Sequence, residues 1–406
     1  MEKVDITLMS PPSRMVNHYR PPLALMYVAE WYRMHGKKVK IIDVPMKQIV
    51  RTRKFWSNIK ETLCDIKTEM YRQISEVRTE WLGISCYSPE LDEVTTIIEY
   101  WKPHTKIMVG GIHPSLFPND FKVDLVVRGR LDVTYPAYDL VNMKYYTTPN
   151  PYAIRGVFLK ATYVLSSMGC PFSCAFCAAP KLRECFESGY IKNPVQLAKE
   201  IRKLKQDYKI DGFYMIDDLF TLDKNYVSEF SNLIKKEKLL WGCQSRVNTI
   251  DEPTIKTMAK SGCIQMDFGI ERGSNEELKR LKKGQTVEKT REVFALCRKN
   301  RIRTFANYLV NLPEERVKDY KDIRQNIRDI RPTITSFNTF RGYVGCELPD
   351  KIPKESTQNW VKIATHKYNS IWENLQDKRN IRNLFRLSYL KQLWQLIWEV
   401  INQKFQ

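Results

Sequence analysis

The chain has 406 residues, 43% of them hydrophobic, which is enough for a buried core in two domains or in one large barrel with an appendage and excludes a disordered chain. Lysine and arginine number 66 against 46 acidic residues; the net charge of +20 favours an acidic partner, whether nucleic acid, an anionic membrane surface or an acidic redox protein. No run of about eighteen apolar residues appears and Val4–Met9 is too short for a secretory signal, so the ten cysteines read as free or metal-bound thiols in a reducing, cytoplasmic setting rather than as a disulfide framework.

The first 135 residues alternate short apolar runs with helical patterns. Strands are expected at Asp5–Met9, Val39–Val44, Trp81–Cys86, Lys106–Val109 and Asp124–Val127, with helices at Leu23–Met34, Lys54–Val77 and Leu91–Trp101. Turns close on Gly36, Gly110–Gly111 and Gly129. This alternation predicts a parallel sheet covered on both faces, a doubly wound Rossmann-like domain over 1–135. Residues 136–160 contain Pro136, Pro149 and Pro151 without clear periodicity and read as a linker.

A second alternating region fills 161–342. Its strands are expected at Tyr163–Ser166, Gly212–Ile216, Leu240–Gln244, Gln265–Gly269, Thr304–Leu309 and Ser336–Phe340. Helices fall between them at Val195–Lys205, Lys224–Lys236, Glu252–Ser261, Ser274–Leu281, Thr286–Lys299 and Lys318–Ile330. Six such repeats predict a partial (β/α)6 TIM-like barrel with its chemistry at the carboxyl ends of the strands. The fold class is therefore α/β throughout, with a helical C-terminal tail over 343–406. In that tail Leu384, Leu387, Leu390, Trp394, Ile397 and Ile401 form one apolar stripe, for packing on the barrel or for lying on a membrane surface.

Directly after the first barrel strand comes Ser167-Met-Gly-Cys170-Pro-Phe-Ser-Cys174-Ala-Phe-Cys177. Three thiolates at this spacing can take three corners of a cubane iron–sulfur cluster and leave the fourth iron open to a small molecule. A closed four-cysteine zinc site with Cys185 is the competing reading.

This motif resembles that of the radical S-adenosylmethionine (SAM) superfamily, and the chain is most similar to the branch with an N-terminal cobalamin-binding domain. The resemblance implies a 4Fe–4S cluster on Cys170, Cys174 and Cys177, with SAM chelated at the open iron and its carbon–sulfur bond cleaved by one electron. It implies further SAM contacts at Phe176, before the last cysteine, at Asp217 and Asp218 in Gly212-Phe-Tyr-Met-Ile-Asp-Asp, at Arg246, and at Glu271 in Gly269-Ile-Glu-Arg-Gly-Ser274. The family's Gly-Leu-Pro-Gly-Glu-Thr segment is replaced here by Asn311-Leu-Pro-Glu-Glu315-Arg, which lacks both glycines. Cys346 stands near the family's last turn, as a reactive or a structural thiol.

In the N-terminal domain Ser10-Pro-Pro, Ser85-Cys-Tyr and Gly110-Gly-Ile-His113-Pro resemble the cobalamin-domain loops, which implies cobalamin contacts at Ser10, Ser85, Gly110, Gly111 and His113. The Asp-x-His-x-x-Gly motif of an axial histidine is absent; His18 and His113 are the nearby histidines. The function expected is a cobalamin-dependent methyltransferase acting on an unactivated centre and reduced by a flavodoxin or ferredoxin. The alternatives are a nucleic-acid-modifying or cyclising radical SAM enzyme without cobalamin, and a non-catalytic iron–sulfur or zinc protein that binds nucleic acid.

Overall fold

The computed structural model describes residues 2–11, 20–43, 68–129, 135–185, 190–340, 342 and 346–348. The chain divides into two compact units, Met1–Tyr146 with Leu182–Ser188, and Thr147–Lys181 with Gly189–Gln406.

In the first unit, β1 (Glu2–Met9), β2 (Val39–Ile42), β3 (Val77–Ser85), β4 (Lys106–Gly110) and β5 (Leu125–Val127) form one sheet in the order β2-β1-β3-β4-β5. Every pairing is parallel. The apolar runs of β1 and β3 follow from burial in the middle of that sheet, where both faces are covered. Helix α1 (Leu23–Met34) buries Leu23, Leu25, Met26 and Ala29. Helix α2 (Leu91–Trp101) buries Val94, Ile97 and Ile98, three- and four-residue spacing that sets one face on the core of Met9, Ile42, Leu82, Ile84, Ile107 and Val109. Each such side chain contributes roughly 1.5–3 kcal/mol on leaving water.

This strand order has its topological switch between β1 and β3, where an open parallel sheet takes its ligand. The helix expected over Lys54–Val77 is described only at 68–75, and Val77 already begins β3. The stretch expected as a linker holds short helical segments at Tyr138–Leu140 and Met143–Tyr146 (α3 is Ile112–Leu116 and α4 is Met143–Tyr146), and an isolated antiparallel bridge between Asn150 and Leu159. Tyr138, Met143, Ile154, Val157 and Leu159 in it are buried, and the boundary between the units falls inside it, at Tyr146/Thr147. Local periodicity gives no sign of this burial because it comes from tertiary packing of irregular backbone.

The second unit is built on β6 (Ala161–Val164), β9 (Gly212–Met215), β10 (Leu240–Ser245), β11 (Cys263–Glu271), β12 (Arg303–Val310) and β13 (Ile334–Thr339). They form a parallel six-stranded sheet in the order β13-β12-β11-β10-β9-β6, with each strand beside its neighbour in sequence. This is the partial barrel. A small antiparallel pair, β7 (Ser167–Met168) with β8 (Tyr190–Ile191), lies beside it. The helices of this unit are α5 (Ala179–Cys185), whose residues from Leu182 on are assigned to the first unit, α6 (Pro194–Tyr208), α7 (Lys224–Ile234), α8 (Glu252–Lys260), α9 (Asn275–Arg280), α10 (Val287–Lys299) and α11 (Val317–Ile330). Several start on side-chain caps: Asn193, Asp223, Asp251, Ser274 and Thr286 each accept from a backbone N–H of the first turn. The apolar stripe from Leu384 to Ile401 lies outside the described residues. Among the described residues no helix is long and apolar enough to cross a membrane.

Candidate active site

Because the six strands are parallel and in register, the residues after them share one rim: Ser166 after β6, Asp217 after β9, Arg246 after β10, Glu271 at the end of β11, Asn311 after β12 and Phe340 after β13. The cysteine loop starts on this rim. Asp217 is fully buried and ties it down: its Oδ1 accepts from Ser166 N–H at 2.8 Å, and its Oδ2 from the Ser167 hydroxyl at 2.7 Å and from the Ser166 hydroxyl. Burial pushes this carboxyl above its ordinary range, and the serine hydrogen bonds oppose that. Asp218 accepts from Gly169 N–H at 2.9 Å. The two carboxylates expected to face SAM are thus engaged by the loop that carries the cysteines.

Cys174 is buried, and Cys170 and Cys177 are half-buried. Burial raises the pKa of both Cys170 and Cys177. Cys177 N–H donates to Cys174 O, and Ala175 is clamped between Leu281 and Leu348: its N–H donates to Leu281 O at 3.0 Å and its carbonyl accepts from Leu348 N–H at 3.1 Å. Phe176 packs on the cluster of Leu281, Leu312 and Phe340, together with Leu309, Cys346 and Leu348. The Cys346 thiol donates to Leu348 O at 3.3 Å, so it takes part in this packing.

Arg246 reaches the loop from β10. Its Nη1 donates to Cys174 Sγ at 3.3 Å, its Nε donates to Asn248 Oδ1 at 2.8 Å, and its plane lies 3.8 Å from the Phe172 ring centroid. Arg246 is 5% exposed, its Nη2 has no partner, and among the described residues no carboxylate is within ion-pair distance. A buried guanidinium without an anion is costly, so the site calls for negative charge here. An anionic thiolate cluster and a carboxylate-bearing ligand match that demand.

Glu271 has a φ of +66° and pairs with Lys283, whose Nζ donates to Oε1 at 2.9 Å and lies 5.4 Å from the Phe176 ring centroid. Gly269 makes room: a Cβ there would fall 2.3 Å from Glu271 Oε1. The neighbouring Arg272 is fully buried among Glu277, Glu315 and Asp319 and donates to Leu309 O at 2.8 Å. Sequence reasoning missed Ser166, Ser167, Phe172, Asn248 and Lys283; the one available signal was the Lys-Lys-Gly284 string following the glutamate.

On the first unit's rim, Ser10 and Ser85 follow and end β1 and β3, and their hydroxyl oxygens are 2.9 Å apart at the topological switch. Ser10 is exposed and Ser85 half-buried, and the two hydroxyls are within hydrogen-bonding distance of each other. Gly111, with φ +110°, is required there because a Cβ would fall 2.9 Å from Cys86 O; Gly110 has no such need, its nearest contact being 3.5 Å from Val127 Cβ. His113, expected at a cofactor contact, has both ring nitrogens engaged by the protein. Its ring is buried, Nδ1 meets Ser88 Oγ at 2.9 Å and Nε2 meets Asp120 Oδ2 at 3.0 Å, which leaves no lone pair for a metal. His18 lies outside the described residues. Cys185, the fourth thiol of the zinc alternative, donates to Ser115 O at 3.3 Å within the first unit. Among the described residues no three His, Cys, Asp or Glu side chains converge on a single-ion site. A cubane makes no such demand, because each thiolate binds its own iron.

Comparison with known proteins decides the matter: a radical SAM superfamily model matches residues 164–327, which span the barrel and its cysteine loop, and a B12-binding domain model matches 15–139. The chain carries a radical SAM domain. It also carries the cobalamin-type N-terminal domain, and radical SAM enzymes need a reductant. An uncharacterised methyltransferase of Pyrococcus horikoshii is 24% identical over 90% of this chain and 87% of its own length. The bacteriochlorophyllide d C-8(2)-methyltransferase of Chlorobaculum tepidum is 22% identical over 77% of this chain and 76% of its own. The anaerobic magnesium-protoporphyrin IX monomethyl ester cyclase of Rubrivivax gelatinosus is 28% identical over 71% of this chain and 62% of its own. In fold, the radical SAM methyltransferase TsrM of Kitasatospora setae, solved with cobalamin and a 4Fe–4S cluster, superposes with a TM-score of 0.65 at 16% identity, covering 86% of this chain and 74% of that one.

Proposed function

We propose that this radical SAM enzyme is a cobalamin-dependent methyltransferase. The observation that carries the reading is the pairing, in one chain, of a cysteine loop on the rim of an open parallel barrel with a doubly wound domain that matches a B12-binding model. Two relatives that match most of the chain are named as methyltransferases.

Cys170, Cys174 and Cys177 would hold the 4Fe–4S cluster, and Ser10, Ser85 and the Gly111 turn would border cobalamin. When bound, the cluster supplies the electron that cleaves SAM, and cobalamin supplies a methyl carrier. The chain's own residues have defined tasks. Asp217 and Asp218 hold the loop to the β9 rim. The unpartnered Arg246 Nη2 offers a donor for the SAM carboxylate, and Phe176, packed on Leu281, Leu312 and Phe340, would offer an apolar surface for the adenine. Glu271, neutralised by Lys283, orders the β11 rim. The positive net charge suits an acidic flavodoxin or ferredoxin as reductant.

The second reading, cyclisation, is favoured by the cyclase relative of Rubrivivax gelatinosus. Products separate the two. Anaerobically reconstituted enzyme supplied with SAM, cobalamin, reductant and substrate should form S-adenosylhomocysteine along with 5′-deoxyadenosine. Formation of 5′-deoxyadenosine alone, with a cyclised product, establishes the second reading instead.

A further inference from the structure

We infer that Arg246 sets the reduction potential of the iron–sulfur cluster, by donating a hydrogen bond from Nη1 to the sulfur of Cys174. This inference rests on the assignment of Cys174 as a cluster ligand and adds a task for a residue otherwise read as a SAM contact.

The geometry is specific. The guanidinium is fixed on three sides: Nε is anchored by Asn248 Oδ1 at 2.8 Å, the plane is stacked on Phe172 at 3.8 Å, and Nη1 points at Cys174 Sγ from 3.3 Å. Asn248 is itself held, its Nδ2 donating to Gly284 O at 2.9 Å. Both members of the contact are buried, Arg246 at 5% and Cys174 at 7% exposure, so water screens their interaction little. In the loaded protein the sulfur is a thiolate, and the contact becomes a charge-assisted hydrogen bond.

A donor on a cluster sulfur stabilises the state with the extra electron more than the state without it, and hydrogen bonds to the sulfurs are among the levers that set such potentials. Arg246 therefore raises the potential, which eases reduction by a physiological partner. Its other terminal nitrogen, Nη2, remains unpaired, so the tuning contact does not consume the donor left for a ligand.

The test is a potentiometric titration, followed by electron paramagnetic resonance, of anaerobically reconstituted full-length chains without SAM. Arg246→Gln should keep the wild-type content of iron and sulfide while its midpoint moves negative. The expected change is about tenfold in the one-electron reduction equilibrium, or ~59 mV. Asn248→Ala, at an exposed position, frees Nε and should shift the midpoint in the same direction by less; it decides the matter if Arg246→Gln fails to take up the cluster. A loaded cluster whose midpoint stays at the wild-type value in Asn248→Ala and, where it loads, in Arg246→Gln overturns the inference while leaving the functional assignment standing. A wild-type chain that takes up no cluster overturns both.

Discussion

The Asp217 carboxylate accepts a hydrogen bond from the Ser167 hydroxyl at 2.7 Å, fifty residues away in sequence, and so fastens the start of the cysteine loop to the β9 rim. Asp217→Ala would leave the Ser166 N–H and two hydroxyls without their acceptor, at about 1–3 kcal/mol for each group that stays buried and unsatisfied. The expected outcome is a less stable barrel, read by urea unfolding, and a reduced iron content after reconstitution. Asp217→Asn keeps one acceptor oxygen and should fall between the wild type and Ala.

The Glu271–Lys283 pair should behave as a unit. Each side chain is 9% exposed. Either single replacement by Ala strands a buried charge, at about 3–5 kcal/mol, whereas the double replacement should cost less than the sum of the two. Additive effects in a double-mutant cycle measured by chemical unfolding would show that the pair is not coupled.

Two positions where the family has glycine keep the glycine backbone. Asn311 has a φ of +68° and Glu314 of +62°. Asparagine tolerates this left-handed region, but glutamate is strained there by roughly 1–2 kcal/mol, partly offset by the greater freedom of glycine in the unfolded chain. The Glu314 side chain is 88% exposed and makes only a long ion pair with Arg280, at 3.9 Å. Glu314→Gly should therefore raise stability, by about 0.5–1 kcal/mol. Glu314→Val should lower it, and the opposite ranking in thermal melts would refute a strained conformation.

In the first unit, burial lifts the Asp43 carboxyl to about 6, against the opposing hydrogen bond from Tyr146 at 2.6 Å. With the folded pKa above the unfolded one, the folded state holds its proton more tightly. Its stabilising contribution is complete below about pH 4 and is lost as pH rises to about 6. Asp43→Asn removes this dependence, so its melting temperature should match the wild type in acid and exceed it above pH 6. A difference that does not change with pH would contradict the shifted carboxyl.

Much of this was legible in the sequence because it is local. The six barrel strands and their helices follow from apolar runs alternating with 3.6-residue periodicity, and the cysteine loop from its spacing. What was not legible depends on partners brought together by the fold. Asp217 after a strand reads equally well as a ligand contact or as an anchor, and only the Ser166 and Ser167 hydroxyls distinguish them. Arg246 and Cys174 are 72 residues apart. His113 gives no sign in the sequence of Ser88 and Asp120, which engage both its ring nitrogens. Residues 136–160, rich in proline, looked like a linker because their burial has no period.

The central claim is that Cys170, Cys174 and Cys177 hold a catalytic 4Fe–4S cluster, and the most direct measurement compares iron content and SAM cleavage after anaerobic reconstitution of single Cys→Ala variants. Replacement of Cys170, Cys174 or Cys177 should abolish SAM cleavage and cost the chain most of its iron, while Cys185→Ala, whose thiol donates to Ser115 O, should retain both. Loss of the cluster in Cys185→Ala together with its retention in Cys174→Ala would contradict the assignment.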